Sequence, residues 1–374
     1  MTIPLYQEHQ APKGPPEGGH LGLWYTRFFN RYTDQWTLDD TAKQKWVSDI
    51  ANRQCGDEKA LDQHALRLLK LVKALKGQFA ICESNWHFAT GLGLPHPVEN
   101  GFTWHQTLGV PFLAGSAIKG VLRAWVEFWD ETDRAQRLKD WFGEQDETGK
   151  LIFFDAIPVA PVRLMADIMT PHYGKWYEKG DDIQGDDMSS VLEHPERLPA
   201  DWHDPVPVPF LVAKQAKFLV GVAARDARAE AMVAMALESL VDALEWLGAG
   251  AKTAAGYGHL VRDERAGEDL LVRQQKLDEE KKRRDDEQKV VEKLSSDLEK
   301  QLYKELFSEP NESKAVAKAT EWFKELDKRD GNEALQIAGM LRDFYVKIGK
   351  WEGKKVAKKQ KEKVERIKQF LGGS

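Results

Sequence analysis

A chain of 374 residues, 42% hydrophobic with 13 Trp and 16 Phe, can build one large core or two modest ones. No apolar run approaches the roughly 18 residues a membrane span needs. The start MTIPLYQEHQ lacks a signal-like apolar stretch, and Cys55 and Cys82 have neither metal-ligand spacing nor the density of a disulfide scaffold, so a reducing cytoplasm is expected.

The net charge of −6 is unevenly spread. Residues 265–374 carry 27 Lys and Arg against 23 Asp and Glu, whereas residues 1–264 carry 27 against 37. Any anion-binding surface on the first part must therefore be local.

Residues 1–20, rich in Pro, Gly and His, read as a flexible lead-in. From Leu21 to about Lys76 the pattern is helical, and HALRLLKLVKAL (64–75) places Leu68, Leu71, Val72 and Leu75 on one face. A strand over about residues 78–90 follows. Ser116 is a plausible N-cap for a helix with Ile118, Val121, Leu122, Trp125 and Trp129 as its buried stripe. LIFFDAIPVA (151–160) reads as a strand, and a polar, Pro- and Gly-rich excursion runs from about Arg163 to Pro207.

VPFLVA and KFLVGVAA then read as a hairpin turning around Lys214–Ala216. A strong helix covers about Ala227–Leu247, and a short strand, Tyr257–Arg262, comes last. Without the hairpin's extra strand the order is β-α-β-β-α-β, an α+β ferredoxin-like arrangement. After Glu264 the composition turns to EEKKRRDDEQKVVEKL and stays helical. There KAVAKATEWFKEL and EALQIAGMLRDFYVKI are amphipathic enough to pack as a pair. The expected division is a lead-in (1–20), an α+β domain (21–264) and a charged α-helical extension (265–374).

LGAGAKTAAGYGHL (247–260) holds four glycines and one lysine. A phosphate-binding P-loop has Gly directly before its Lys and runs from strand into helix. Here Ala251 precedes Lys252 and the loop leaves a helix for a strand, which also excludes the dinucleotide fingerprint. What remains is a helix capped by Gly248, then a wide turn bare at Gly250, Gly256 and Gly258. Bare backbone allows close approach of another chain and offers N–H groups to an anion, with Lys252 and Thr253 adding a charge and a hydroxyl. An ordinary cap explains Gly248 alone.

Together with LAGSAIKGVLRAW (113–125), this loop resembles the RAMP proteins of CRISPR systems. GAGAKTAAGYG is similar to their Gly-x-Gly, five residues, Gly-x-Gly loop. LAGSAIKGVLR resembles their Leu-Pro-Gly-Ser-Ser-Leu-Lys-Gly segment, with Ala114 for the Pro and Ala117 for the second Ser. HLGLWYTRFF, ENGFTWHQTLGVPFLAGSAIKG, FFDAIPV and DIMTPHYGKWY point to the family of the sixth RAMP subunit of type III-B (Cmr) effector complexes.

The resemblance spans roughly residues 20–262, with a weaker echo near the C-terminal end. It implies a ferredoxin-like RAMP fold with a protruding β-hairpin thumb, and a non-catalytic place in an antiviral RNA–protein filament. There the subunit would hold the 3′ part of the guide RNA and the guide–target duplex at the end of the backbone. Its partners would be guide RNA, target RNA and the other RAMP subunits, backbone and cap. The alternative it leaves open is a metal-independent endoribonuclease that processes guide precursors.

The residues agree in kind. A guide-holding protein needs phosphate contacts, which position RNA without reading its sequence. Gly115 and Ser116 at a helix start favour an anion, and Lys119 and Arg123 follow on the same face; an ordinary capped helix with solvated cations is the bland reading. The expectation is that this start and the glycine turn form a single cradle.

The excursion 163–207 is the expected thumb. Its His172, Tyr173, Lys175, Trp176 and Tyr177 would stack on or wedge between bases, or else fold the excursion onto its own domain. GDDIQGDD (180–187) suits a protein neighbour or solvent. Lys354, Lys355, Lys358 and Lys359 offer RNA or an acidic neighbour a basic face, or form a solvated one.

For catalysis the positions to suspect are His172, Asp167 and Asp155, the last better read as a structural hydrogen bond. His87, His96 and His105 recur every nine residues, which matches no metal-binding helix or knuckle. Neither catalysis nor a metal or cofactor is expected. A third reading makes residues 265–374 chiefly a protein-interaction module.

Overall fold

The computed structural model describes residues 14–38, 41–171, 173–179, 193, 195, 198–199, 203–294, 296–329, 331–351 and 358–372. In chain order the first half holds α1 (Leu21–Arg27), α2 (Ala42–Ile50), β1 (Gln54–Cys55), α3 (Glu58–Ala74), β2 (Gln78–Ser84), β3 (His87–Phe88), α4 (Gly115–Trp129) and α5 (Arg134–Arg137). After the small β4 (Gly143–Glu144) and β5 (Glu147–Thr148) come β6 (Leu151–Phe153), β7 (Ile157–Pro158), β8 (Val162–Met169) and α6 (Gly174–Lys179). Then follow β9 (Val208–Lys214), β10 (Lys217–Ala224), α7 (Glu230–Trp246), β11 (Leu260–Arg262) and α8 (Glu264–Glu292). The remainder is helical: α9 (Asp297–Leu306), α10 (Glu312–Glu325), α11 (Gly331–Lys347) and α12 (Lys358–Phe370).

The chain divides into two compact units, Met1–Leu271 and Val272–Ser374, with the boundary inside α8. In the first unit, one antiparallel sheet has the order β11–β2–β10–β6, with β7 continuing the edge beside β10. Strand periodicity sorts the side chains of β10. Phe218, Val220 and Val222 join the core shared with Ile118, Leu122 and Val126 of α4 and Val233, Leu237, Leu240 and Leu244 of α7. Leu219 points the other way, into a cluster with Leu69 of α3, Ile81 and Leu270. The sheet is thus covered on both faces, which accounts for the unbroken apolar run of β10.

The second sheet has the order β1–β8–β9–β3. The predicted hairpin between VPFLVA and KFLVGVAA does not form: β9 pairs with β8 and β3, and the chain turns at Gln215 (φ 52°) to enter the first sheet as β10. Two consecutive buried strands carry no alternation that would show which sheet each joins. The antiparallel pair β8–β9 brackets the excursion instead, so its first residues, read as irregular, are strand. Between the two strands α6 is described, whereas His172 and the acidic 180–187 lie outside the described residues.

Other details shift. α3 is capped by Asp57, whose carboxylate accepts from the Ala60 N–H, and buries Leu61, Ala65, Leu66, Leu69 and Val72. Of the predicted face only Val72 is fully buried, and Leu71 and Leu75 are exposed. On α4 Trp129 is exposed rather than buried. The predicted strand 151–160 breaks at residues 154–156, leaving Asp155 exposed between β6 and β7.

The second unit packs four helices rather than a pair, around Leu302, Leu306, Ala319, Trp322, Ile337, Leu341, Phe344 and Ile367. Ser296 and Glu299 form a capping box at the start of α9. Lys358 and Lys359 open α12 and are exposed, and 352–357 lie outside the described residues. Among the described residues no helix is long and apolar enough to cross a membrane.

Candidate nucleic-acid interface

The glycine turn begins where α7 ends. Gly248 takes a left-handed conformation (φ 72°) and ends the helix. The turn is then stitched to the segment after β2: the Ala251 N–H donates to the Ala89 carbonyl at 2.8 Å, and the Gly258 N–H to the His87 carbonyl at 2.8 Å. The Ala249 N–H closes the turn on the Gly258 carbonyl at 2.8 Å. A Cβ at Gly250 would overlap the Ala89 carbonyl oxygen, and one at Gly258 the Ala249 carbonyl oxygen.

The close approach that these glycines permit is therefore by the protein's own backbone, and the amides of Ala249, Ala251 and Gly258 are satisfied internally. Gly256 differs. It sits at φ 90°, where the nearest atoms to an added Cβ would be the Trp86 ring at 4.0 Å.

Side chains supply what this backbone does not. Lys252, itself left-handed at φ 59°, is exposed and holds its ammonium 5.8 Å from the Phe210 ring centroid. Thr253 is half-buried and opens a 3₁₀ turn.

Beside the turn stands a cluster that sequence reasoning did not assemble. The Tyr257 hydroxyl donates to Asp167 Oδ2 at 2.8 Å, and His87 Nδ1 lies 3.2 Å from the same oxygen. The Ile168 N–H donates to Asp167 Oδ1 at 2.8 Å. Burial, and the Asp167 carboxylate after it, push the Tyr257 phenol up to about 12. Trp86 lies flat on His87, with centroids 4.6 Å apart and planes 14° apart, and meets Tyr257 at 4.9 Å. Trp86 remains 47% exposed.

The register of the second sheet adds cations. His87 on β3 is opposite Lys214 on β9, which is opposite Arg163 on β8. Direct cross-strand partners share a face, and by the two-residue period Arg163 and Asp167 share one side of β8, as Lys214 and Phe210 do of β9. Tyr257 and Lys252 lie against Phe210 on that side. One sheet face thus carries Lys214 and Arg163, the latter with Nη2 3.5 Å from Asn52 Oδ1, and Lys252 lies against Phe210 on the same side. The sequence signal was the pair Trp86–His87 directly after a strand, with Tyr257 between the last two glycines.

The start of α4 is a different place. Ala114 is its N-cap, without a side-chain hydrogen bond, and Ser116 is an exposed first-turn residue rather than the cap. The Gly115 N–H donates to Asp155 Oδ1 at 2.6 Å, so a carboxylate of the chain itself occupies the helix start. Lys119 Nζ donates to the Phe142 carbonyl at 2.9 Å, and Arg123 Nε donates to Glu127 at 2.7 Å.

Gly115 abuts the Phe153 carbonyl, and Phe153 is level with Gln78 through Val222, whereas the glycine turn leads into Leu260 opposite Ser84. Six residues of β2, about 20 Å at the strand rise, separate the two levels. They do not form the single predicted cradle.

The excursion keeps Lys175 and Tyr177 exposed and Tyr173 half-buried, while Trp176 is 36% exposed. The three evenly spaced histidines serve separate places: His96 stacks on Tyr25 at 4.4 Å, and His105 lies 6.1 Å from His64. Burial holds His96, His105 and His64 below the usual histidine range. Among the described residues no three His, Cys, Asp or Glu converge as a metal site would require.

A model of the RAMP superfamily matches residues 80–261, the span that runs from β2 through the glycine turn to β11. The CRISPR system Cmr subunit Cmr6 of Pyrococcus furiosus is 32% identical over 255 residues, covering 52% of this chain and 69% of that protein. The chain belongs to the RAMP superfamily. Within it, this RAMP protein is of the type III-B kind and resembles Cmr6. A second relative, Cmr6 of Saccharolobus solfataricus, is 29% identical over 85 residues, covering 22% of this chain and 29% of that one.

Among solved structures, that of the type III-B Cmr-beta bound to cognate target RNA has a TM-score of 0.45 at 18% identity, covering 59% of this chain and 71% of that one. The crystal structure of Pyrococcus furiosus Cmr6 has a TM-score of 0.30 at 28% identity, covering 50% and 98%.

Proposed function

We propose that this chain is a non-catalytic RNA-binding subunit of a type III-B CRISPR effector ribonucleoprotein, acting in the cytoplasm in antiviral defence. It holds the 3′ part of the guide RNA and the guide–target duplex at the end of the backbone filament. Its partners are guide RNA, target RNA and the other RAMP subunits, backbone and cap. We read the strand order β11–β2–β10–β6, with α4 and α7 on one face, as the ferredoxin-like arrangement, and the β8–β9 pair with its excursion as the thumb.

The observation that carries the reading is Lys252, projected from a turn whose backbone is fixed to residues 87–89, on a face that also presents Arg163 and Lys214. Such a surface attracts a phosphate backbone without reading bases, as a protein that accepts any guide requires. Thr253 and Gly256 border it. The relationship to Cmr6 supports assembly with other Cmr subunits.

The test is binding of single-stranded RNA by the full chain across a salt series. Lys252→Ala should weaken binding and reduce the slope of log K against log salt by about 0.7, the value for one phosphate contact on a single strand. An unchanged affinity and slope would remove the assignment.

A further inference from the structure

We infer that Trp86 is a stacking platform for one unpaired nucleobase of the bound RNA, with Lys214 and Arg163 taking the adjoining phosphates. The inference rests on the RNA-binding reading above and assigns the chemistry of one contact.

Three observations converge on it. First, the ring is presented rather than packed: nearly half exposed, it is backed on one face by the His87 imidazole at 4.6 Å and flanked by Tyr257 at 4.9 Å. Second, the backing is held in place. His87 and Tyr257 both bond to Asp167 Oδ2, Asp167 Oδ1 accepts from the Ile168 N–H, and the Gly258 N–H is anchored to the His87 carbonyl. A ring held this way loses little freedom when a second aromatic plane lands on it. Beside the ring Gly256 brings no side chain, since even its hypothetical Cβ would lie 4.0 Å away.

Third, the rim is cationic. The row His87, Lys214, Arg163 runs across three neighbouring strands, about 4.8 Å apart. A protein-docking aromatic would be expected to sit in an apolar surround; this one is backed by an imidazole that bonds a carboxylate and lies opposite Lys214, with Arg163 one strand further on. Stacking and backbone attraction together are how sequence-tolerant single-strand sites are built.

The experiment uses the full chain and single-stranded RNAs carrying 2-aminopurine at successive positions. Wild type should quench the fluorophore at one position in each bound register. Trp86→Ala should abolish that quench and weaken binding about tenfold, a loss within the range for one stacked base, with an unchanged salt slope. Trp86→Phe should retain most of both. Lys214→Ala and Arg163→Ala should each reduce the slope by about 0.7 while keeping the quench.

Wild type that binds RNA without quenching at any position overturns the platform, whatever happens to the folding of Trp86→Ala. The same holds if Trp86→Ala binds as wild type does, or loses only the capture of another RAMP subunit. Wild type that binds no RNA overturns the RNA-binding reading itself and this inference with it.

Discussion

The glycine turn and the start of α4 have the same ingredients in the sequence: glycine, a hydroxyl residue and a lysine beside a helix end. The fold treats them oppositely. At α4 the free N–H of Gly115 is taken by Asp155, and Lys119 and Arg123 are bonded to Phe142 and Glu127. At the turn the backbone is also committed inward, yet Lys252 stays exposed and shares its face with Arg163 and Lys214. A motif's donors are available to a ligand only if the tertiary structure has not already supplied their partner.

The sharpest way to break this comparison is to add one methyl group. Gly258→Ala forces both a left-handed conformation and overlap with the Ala249 carbonyl. It should destabilise the protein by at least about 2 kcal/mol, read from the shift of the urea midpoint. Gly256→Ala keeps the unfavourable φ but meets nothing nearer than the Trp86 ring at 4.0 Å, so its loss should stay at about 1 kcal/mol. Equal losses would mean that conformation alone, and not close approach, selects these glycines.

Next in size is Asp155→Ala, which leaves the α4 start without its acceptor. A loss of about 1 kcal/mol is expected, with RNA affinity unchanged. A gain in RNA affinity would show that α4 offers an anion site once its own carboxylate is gone. Smaller still is the effect of Lys119→Ala or Arg123→Ala on the salt slope, expected to be below that of Lys252→Ala. Slopes that fall equally for all three would erase the distinction between the regions.

Much of this architecture was legible. The helices α4 and α7, the strand β10 and the glycine turn stand close to where local pattern puts them, whereas α3 turns a different face inward and the strand predicted over 78–90 splits into β2 and β3 of two different sheets. What was not legible depends on distant partners. Asp155 lies 40 residues from the Gly115 amide it serves, so Ser116 looked like the cap. His87 and Tyr257 reach Asp167 across 80 and 90 residues, and nothing local announces that meeting. β9 and β10 are consecutive apolar runs two residues apart, which reads as a hairpin unless the chain is known to change sheets. Trp129 fits the spacing of the buried face of α4 but lies near the end of the helix, where the neighbouring Phe128 is exposed as well.

The smallest effect expected is alkaline. The Tyr257 phenol is raised above its ordinary value of 10.0 to about 12, so its folded form favours the neutral hydroxyl. The associated stability is present below pH 10 and lost as pH rises from there towards about 12. Amide hydrogen exchange of the turn should speed up across that window in wild type and less so in Tyr257→Phe. The same acceleration in both would detach the turn from Asp167.

The stitching of the turn to residues 87–89 has a thermodynamic consequence. Because backbone hydrogen bonds already fix this turn, a nucleic acid arriving on the proposed face would order little of the polypeptide. Association should then show a small heat-capacity change and an entropy dominated by released counterions rather than by the chain.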